Sequence, residues 1–240
     1  MCSLEKRGNL FLITLTGDDQ HRLNPTVIST LRSHLSQVKS QSTRGSALVT
    51  LAEGKFFSNG FDLEWAQKVS NSADEAHAKL KEMVQLFRPV VKELIEMPMP
   101  TIAAVTGHAA AAGMLLALSH DHVFMRGDRG VMYMSEVDIG LPLPDYFSVL
   151  FRSKVASPAA RRNVLLNGMK LKAEDAVAMG IIDSAYDNAE KTVEAAVQLA
   201  EKLGKRKWDG VVYGEIRKSL YPELCDIVGL VGKDLATSRL

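Results

Sequence analysis

Short apolar runs alternate with longer amphipathic segments along this chain, and this alternation constrains the possible folds more than any other feature of the sequence. The runs have the length and composition of buried strands, and they lie at 9–15, 46–52, 101–107, 121–127, 131–134 and 181–186. Between them, apolar residues repeat at helical spacing, as do Val27, Leu31 and Leu35 after the helix-starting pair Asn24-Pro25. Strands that alternate with helices predict parallel pairing through crossover connections, so we expect an α/β fold.

Helical patterns dominate the last third of the chain. Helices are predicted at 25–39, 74–97, 108–119, 145–154, 158–166, 172–179, 188–204 and 208–220. A chain of 240 residues suits one sizeable domain with a helical appendage. We therefore predict a core domain over residues 1–190, followed by a C-terminal helical region and tail over residues 191–240.

The composition excludes several classes of protein. Apolar residues make up 46% of the chain and charged residues 24%, which allows a buried core and argues against disorder. A formal net charge of +1 gives no long-range field for nucleic acid or an anionic membrane surface. The apolar run Leu10–Leu15 is too short for a membrane span. We therefore expect neither nucleic acid nor a membrane as a partner.

Cysteine and histidine positions indicate neither a disulfide scaffold nor a metal site. Cys2 and Cys225 are the two cysteines, and Cys2 lies near the N-terminus, where chains fray. The pair His120 and His122 has no third ligand at a useful spacing. We expect a reducing compartment and no bound metal.

The segment FSNGFDL, residues 57–63, interrupts the strand pattern. Gly60 permits a backbone turn that is closed to other residues, and such a turn can leave the next N–H, that of Phe61, pointing into a cleft. An ordinary surface loop is the alternative interpretation.

The segment GHAAAAG, residues 107–113, combines small side chains with the start of a predicted helix. Small side chains let a substrate approach the backbone closely, and free N–H groups at a helix start favour a developing oxyanion. Close packing of a helix on a sheet also demands small residues, so this alternative stays open.

The segment SEVDIGLP, residues 135–142, places Glu136 directly after an apolar strand, among Val137, Ile139 and Leu141. Burial of a carboxylate among apolar groups raises its pKa and makes it a better base when it is ionised. An acid that caps the following turn is the alternative. Asp138 lies two residues further on, and an extended backbone would place it on the same side as Glu136.

Taken together, the three segments resemble the enoyl-CoA hydratase/isomerase family, also called the crotonase superfamily. The first family motif, Phe-Ser/Cys-Ala-Gly-X-Asp-Leu, is similar to residues 57–63, with Asn59 in place of Ala. The second, Gly-X-Ala-X-Gly-Gly-Gly followed by an apolar helix and Asp, aligns without gaps to residues 107–121. The resemblance covers about residues 8–190 and implies a crotonase-like spiral of ββα units with a helical C-terminal region.

The resemblance also implies which residues form the site. In the family, two backbone N–H groups hold the thioester oxygen of an acyl-CoA, and these positions fall on Phe61 and Ala112. Ala112 stands where the family usually has Gly, so a methyl group is added beside that N–H. The third family motif, in which an acid precedes a glycine by four residues, places the catalytic carboxylate on Glu136.

A departure from the hydratase pattern points to the reaction. Hydratases of the family carry Glu two residues after the helix glycine, where it helps to hold the attacking water, and the matching residue here is Leu115. Leucine can neither orient nor deprotonate water, whereas isomerisation needs only a proton that is taken from one carbon and returned to another. The chain is therefore similar to the Δ3,Δ2-enoyl-CoA isomerases, which convert cis or trans 3-enoyl-CoA into 2-trans-enoyl-CoA in fatty-acid β-oxidation.

From this resemblance we expect Glu136 to act as a single proton shuttle on an acyl-CoA substrate, without a cofactor. The alternatives are dienoyl-CoA isomerisation with Asp138 or Asp145 as a second acid, hydration, thioester hydrolysis, or acyl-CoA binding without catalysis. Because family members usually form trimers or dimers of trimers through their C-terminal helices, a homotrimer or homohexamer is expected.

Two further features concern the acyl chain and the location. The residues that form either an acyl tunnel or simply core are Trp65, Met83, Phe87, Met97 and Met99. The last three residues, Ser238-Arg239-Leu240, are close to the Ser-Lys-Leu peroxisomal address. Together with lipid chemistry, this ending predicts a peroxisomal location and an import receptor as a partner, and a frayed tail is the alternative.

Overall fold

The computed structural model describes residues 1–232, which form nine strands and ten helices. The strands are β1 (Cys2–Arg7), β2 (Leu10–Leu15), β3 (Ala47–Ala52), β4 (Phe56–Ser58), β5 (Thr101–Val105), β6 (His108–Ala110), β7 (His122–Arg126), β8 (Met132–Tyr133) and β9 (Ser184–Tyr186). The helices are α1 (Pro25–Ser40), α2 (Leu63–Lys68), α3 (Ala73–Ile95), α4 (Ala112–Leu118), α5 (Asp145–Lys154), α6 (Pro158–Leu165), α7 (Ala173–Ala178), α8 (Ala189–Gly204), α9 (Gly210–Leu220) and α10 (Pro222–Val228). Within these residues, no helix combines the length and the apolar character that crossing a bilayer requires.

The main sheet has six strands in the order β1-β2-β3-β5-β7-β9. From β2 to β9 neighbouring strands are parallel, with Ile13 opposite Thr50 and Val49 opposite Ile102, and β1 pairs with β2 in the antiparallel direction. The parallel pairing predicted from the strand–helix alternation is confirmed. Elements packed on both faces of this sheet explain why its central strands β3 and β5 are mostly apolar and almost entirely buried.

Three short strands form a second, parallel sheet in the order β4-β6-β8. Each of them directly follows one strand of the main sheet along the chain: β4 comes after β3, β6 after β5 and β8 after β7. The next helices along the chain are α2, α4 and α5, respectively. The chain thus repeats a ββα unit three times, which is the arrangement that the resemblance to the crotonase superfamily implies.

The prediction of one continuous helix over residues 108–119 is wrong at its start. Residues His108–Ala110 form β6, whose backbone pairs with β4 on one side and β8 on the other. Ala111 then adopts φ 49° and ψ −122°, and the helix begins at Ala112. Alanine favours helices, but pairing with two neighbouring strands outweighs this local preference.

The N-terminal segment is also more ordered than the sequence predicts. Cys2 does not fray but begins β1, where it pairs with Leu15 and is only 9% exposed. β1 is an edge strand whose later residues, among them Glu5 and Lys6, are exposed and charged. Charge on an edge strand prevents further strand pairing. The same charged residues interrupt the apolar pattern, so β1 could not be predicted from an apolar run.

Both faces of the main sheet are covered. One face, with Phe11 and Ile13, belongs to a large core that includes residues of α1, α3 and α4. The opposite face, with Leu12 and Val49, packs against α8. α10 lies against α3 and α5. The domain boundary after residue 190 stays a prediction.

Candidate active site

The three candidate residues follow the three strands of the small sheet. Phe61 lies three residues after β4, Ala112 two residues after β6, and Glu136 three residues after β8. Because these strands are adjacent and parallel, their carboxyl ends meet at one edge of the sheet. The fold therefore brings together three segments that are far apart in the sequence.

The backbone of Phe61 is oriented by a short parallel pairing with Leu23. The Leu23 N–H donates to the Gly60 carbonyl at 2.7 Å, and the Asp62 N–H donates to the Leu23 carbonyl at 3.3 Å. Because successive peptide groups of an extended segment point to opposite sides, the Phe61 N–H faces away from Leu23. Gly60 has φ 75°, a conformation that its missing side chain permits.

Ala112 begins α4, so its N–H has no acceptor within that helix. The Phe61 loop lies directly against this helix start, since a Cβ built on Gly60 would be 3.5 Å from the Ala112 nitrogen. Gly113 packs so closely on β4 that a Cβ there would collide with the Ser58 carbonyl. The Ala112 side chain is fully buried, and Ala112 is not among the residues that line the adjoining cleft.

Glu136 and Phe61 line the same cleft, which has a volume of about 470 Å³. The Glu136 Oε2 atom is buried and has no hydrogen-bond partner among residues 1–232. Burial raises the pKa of Glu136, and the backbone groups of Glu136 and Ser135 oppose this effect only in part. A carboxylate with one unpaired oxygen and a raised pKa is suited to act as a base toward a group that enters the cleft.

A family model described as enoyl-CoA hydratase/isomerase matches residues 5–213. The chain belongs to the enoyl-CoA hydratase/isomerase family. An Arabidopsis thaliana protein named enoyl-CoA delta isomerase 2, peroxisomal, is 61% identical over 241 residues, which cover 100% of both chains. Another protein of that plant, named enoyl-CoA delta isomerase 1, peroxisomal, is 52% identical over 93% of this chain and 91% of the relative.

Solved structures with titles from the enoyl-CoA hydratase/isomerase family share the fold. The crystal structure of a probable enoyl-CoA hydratase from Mycobacterium tuberculosis H37Rv has a TM-score of 0.83 at 20% identity, over 95% of this chain and 91% of that chain. A family protein from Pseudomonas syringae has a TM-score of 0.82 at 22% identity, over 95% of this chain and 93% of that chain. The predicted crotonase-like α/β fold with a helical C-terminal region is confirmed.

The acids of this enoyl-CoA hydratase/isomerase family member occupy different positions around the cleft. Glu136 and Asp145 line it, but the Asp145 Oδ1 atom accepts a hydrogen bond from Arg88 Nη2 at 2.7 Å. Asp138 is exposed and faces Gly168, where a Cβ would lie 3.1 Å from the Asp138 Oδ2 atom. Glu136 is therefore the acid of the cleft that has no cationic partner within the described residues.

Leu115 is fully buried in α4 among other apolar residues. A side chain without polar atoms thus stands at the position where hydratases of the family carry their second acid. The site as described has no carboxylate there to hold a water molecule.

The two histidines considered as a metal pair have other partners. His120 is buried, with Nδ1 2.9 Å from the Leu116 oxygen and Nε2 2.8 Å from Thr50 Oγ1. His122 Nδ1 lies 3.1 Å from Asp183 Oδ1. Among residues 1–232 there is no group of three or more His, Cys, Asp or Glu side chains that could hold a metal ion.

Sequence reasoning missed the part that α3 plays in the cleft. Leu80, Val84 and Arg88 line it at intervals of four residues, so one face of the helix forms a wall. This spacing is visible in the sequence, but nothing there shows that the face borders a cleft. Met83 and Phe87, considered for an acyl tunnel, are fully buried core residues and do not line the cleft.

Proposed function

We propose that this chain is an enoyl-CoA delta isomerase, which moves the double bond of cis or trans 3-enoyl-CoA to the 2-trans position in fatty-acid β-oxidation. Three Arabidopsis relatives with the name enoyl-CoA delta isomerase, which are 61%, 60% and 52% identical, support this activity. The observation that carries the proposal is the unpaired, buried Oε2 atom of Glu136 in the cleft beside Phe61.

In the proposed reaction, the N–H groups of Phe61 and Ala112 donate hydrogen bonds to the thioester oxygen. Glu136 removes a proton from C2, and the electron pair of that C–H bond spreads into a dienolate whose negative charge collects on the oxygen. Glu136 then returns the proton to C4, which leaves the double bond between C2 and C3. Each backbone donor is expected to lower the barrier by about 3 kcal/mol.

Isomerisation suits this site better than hydration. The buried Leu115 side chain can neither hold nor activate water, whereas one carboxylate can both remove and return a proton. The proposed reaction moves a proton without net oxidation or reduction, so it requires no nicotinamide or flavin. The two backbone N–H groups are proposed to stabilise the dienolate oxygen in place of a metal ion. The direction of the Phe61 N–H and the contact between the Gly60 loop and Ala112 support the assignment of the two donors.

Two of the relatives are named as peroxisomal, and the peroxisome is accordingly the location of this chain. We propose that an import receptor binds Ser238, Arg239 and Leu240, which lie outside the described residues. A fluorescent fusion that keeps these residues at its end is expected to enter peroxisomes, and a fusion without them is expected to stay outside. Equal import of both fusions would contradict the role of the tripeptide.

We also propose a homotrimer or homohexamer. α9 exposes Val212, Ile216 and Leu220 at intervals of four residues, with exposed fractions of 53%, 57% and 65%. An apolar stripe of this kind favours a contact between subunits. Light scattering is expected to give the mass of three or six chains and a smaller mass for Ile216→Glu. A monomeric wild type would contradict this proposal.

The activity is tested with 3-hexenoyl-CoA and, in parallel, with 2-trans-hexenoyl-CoA. The absorbance of the conjugated enoyl thioester is expected to rise with the first substrate and to stay nearly constant with the second. A rapid loss of absorbance from the second substrate would instead indicate a hydratase, and release of free CoA would indicate a thioester hydrolase. Turnover of a dienoyl-CoA alone would indicate a dienoyl-CoA isomerase, and binding without any turnover would indicate an acyl-CoA-binding protein.

A further inference from the structure

Three aromatic rings, called the ring cluster here, meet beside the Glu136 cleft. They belong to Phe61, which carries one of the two proposed oxyanion donors, to Phe87 of α3 and to Phe147 of α5. The distances between their centroids are 5.8, 6.1 and 6.3 Å, so each ring interacts with the other two. Phe61 and Phe147 also line the cleft, whereas Phe87 is fully buried and does not line it.

The contact between Phe61 and Phe147 is a stack, with an angle of 21° between the ring planes. The Phe87 ring is nearly perpendicular to both, at 88° to Phe61 and 78° to Phe147. A ring that is stacked on one neighbour and perpendicular to another cannot slide or turn without losing one of these contacts. The Phe61 side chain is therefore held in place, although it is only partly buried.

The Phe147 ring is itself fixed, because the first turn of α5 is hydrogen-bonded to α3. Asp145 Oδ1 accepts a hydrogen bond from Arg88 Nη2 at 2.7 Å, and the Tyr146 hydroxyl donates to the Val84 carbonyl at 2.7 Å. The Tyr146 ring is fully buried and lies at 86° to the Phe147 ring, with 4.9 Å between the centroids. Phe147 thus provides a rigid support for the Phe61 ring.

Hydrogen bonds hold the Phe61 loop from one side. The peptide groups next to the Phe61 N–H bond to Leu23, through the Gly60 carbonyl and the Asp62 N–H, and the Phe61 N–H faces the opposite side. The ring is the other part of Phe61 that packing can hold. Because side chains occupy a few staggered rotamers, a fixed ring limits how far the backbone of the same residue can turn. The ring contacts therefore help to set the direction of the Phe61 N–H.

We propose that Phe147 is a positioning residue, whose ring holds the Phe61 ring so that the Phe61 N–H stays directed at the thioester oxygen. This inference rests on the proposed function, which assigns that N–H to the oxyanion. The negative charge on the oxygen is greatest when the dienolate forms, so a misdirected donor weakens the transition state more than it weakens substrate binding. Loss of the Phe147 ring therefore lowers kcat and leaves the affinity for the acyl-CoA nearly unchanged.

The test compares Phe147→Leu with the matched control Phe151→Leu. Phe151 is 1% exposed and lies one turn further along α5, outside the ring cluster and the cleft lining. Phe147→Leu is expected to lower kcat for 3-hexenoyl-CoA by about tenfold, and Phe151→Leu to leave it within about twofold. The Kd of hexanoyl-CoA should stay within about twofold in both variants. Phe147→Met, which replaces the flat ring by a flexible side chain, is a second variant with the same expected loss.

A double-mutant cycle with Phe61→Leu separates positioning through Phe61 from a general effect on the fold. Phe61→Leu alone is expected to lower kcat by about tenfold, and the addition of Phe147→Leu to change it by no more than about twofold. The same loss from Phe147→Leu with and without Phe61→Leu would overturn the proposal. Equal losses in Phe147→Leu and Phe151→Leu, or a rise in Kd that matches the loss in kcat, would overturn it as well.

A second measurement does not depend on turnover. Acetoacetyl-CoA can ionise to an enolate, and donors that hold the thioester oxyanion raise the enolate fraction of the bound ligand, which its ultraviolet absorbance reports. Phe147→Leu is expected to lower this fraction, and Phe151→Leu to leave it unchanged. Failure of the wild type on 3-hexenoyl-CoA would refute the proposed function, and the enolate fraction would then decide the role of Phe147. The same fraction in the wild type and in Phe147→Leu would overturn that role.

Discussion

A Cβ on Gly60 would lie 3.5 Å from the backbone nitrogen of Ala112, although the two residues belong to different ββα units. The same atom would lie 3.1 Å from the Ala111 Cβ. The loop after β4 and the start of α4 are thus in direct contact. The relative position of the two proposed oxyanion donors depends on the absence of a side chain at residue 60.

Gly60→Ala is expected to lower kcat by about 10- to 100-fold. Alanine is strained at φ 75°, and its methyl group would push the Phe61 loop away from α4. The isomerase rate at saturating 3-hexenoyl-CoA measures the effect. Gly180→Ala is the matched control, because Gly180 has φ 66° but open space around the added carbon. Equal rates for the two variants would argue against a role for this contact in positioning the donors.

The value of kcat/KM is expected to fall in acid, and the pKa that governs this fall should lie above the ordinary pKa of glutamate, which is about 4.3. Burial raises the pKa of Glu136, and the carboxylate acts as a base only when it is deprotonated. Activity should therefore rise with pH through this raised pKa. Rates measured between about pH 4 and pH 8 test the expectation, and a governing pKa at or below the ordinary value would contradict it.

Glu136→Gln is expected to be more stable than the wild type near neutral pH. In the wild type the folded-state pKa lies above the unfolded-state pKa, so the unfolded chain releases this proton first as the pH rises. The free energy of unfolding then falls between the two pKa values, whereas glutamine does not titrate. Denaturant titrations at acidic and neutral pH should show an advantage of the variant that grows with pH.

The control for this effect is Glu64→Gln, at an exposed carboxylate paired with Lys68 and Arg22. These partners lower the pKa of Glu64, so the wild type gains stability as the pH rises. Glutamine does not titrate, so the free energy of unfolding of Glu64→Gln should fall relative to that of the wild type as the pH rises. The same sign of pH dependence in both variants would contradict the account of Glu136 burial.

Arg217→Leu is expected to lower the free energy of unfolding by about 3–5 kcal/mol. Arg217 is 3% exposed, its Nε and Nη2 atoms each donate to Asp121 at 2.6 Å, and it also donates to carbonyl groups near the end of α3. Leucine leaves the buried Asp121 charge without its partner. Guanidinium titrations measure the loss. The control Arg152→Leu removes an exposed pair with Glu223 and should cost only about 0–1 kcal/mol.

The central strands of the main sheet could be predicted because their own residues determine them. Residues 46–52 and 101–107 are apolar on both faces, as a strand covered on both sides must be. The short strands β4 and β6 could not be predicted in this way. The three residues of each become strands only because neighbouring strands supply hydrogen-bond partners, and the alanines of β6 favour a helix when considered alone.

The residues of the candidate site that lie just after strand ends could be predicted, because the ends of adjacent parallel strands meet at one edge of the sheet. Phe61 and Glu136 were expected to share a cleft, and they do. Asp138 was considered for the same side as Glu136, but the Ser135 carbonyl accepts the Asp138 N–H at 3.0 Å, and this turn directs Asp138 elsewhere. Which side chains of α3 face the cleft depends on how the loop after Glu136 packs against that helix, and no local pattern encodes that packing.

The most direct test of the account is the turnover of 3-hexenoyl-CoA by Glu136→Gln, measured together with the affinity for hexanoyl-CoA. Glutamine keeps the shape of the side chain but does not accept the C2 proton. We predict that kcat falls by about 10²- to 10⁴-fold, while the Kd of hexanoyl-CoA stays within about twofold of the wild-type value. A variant that turns over at nearly the wild-type rate would contradict the assignment of Glu136 as the proton shuttle.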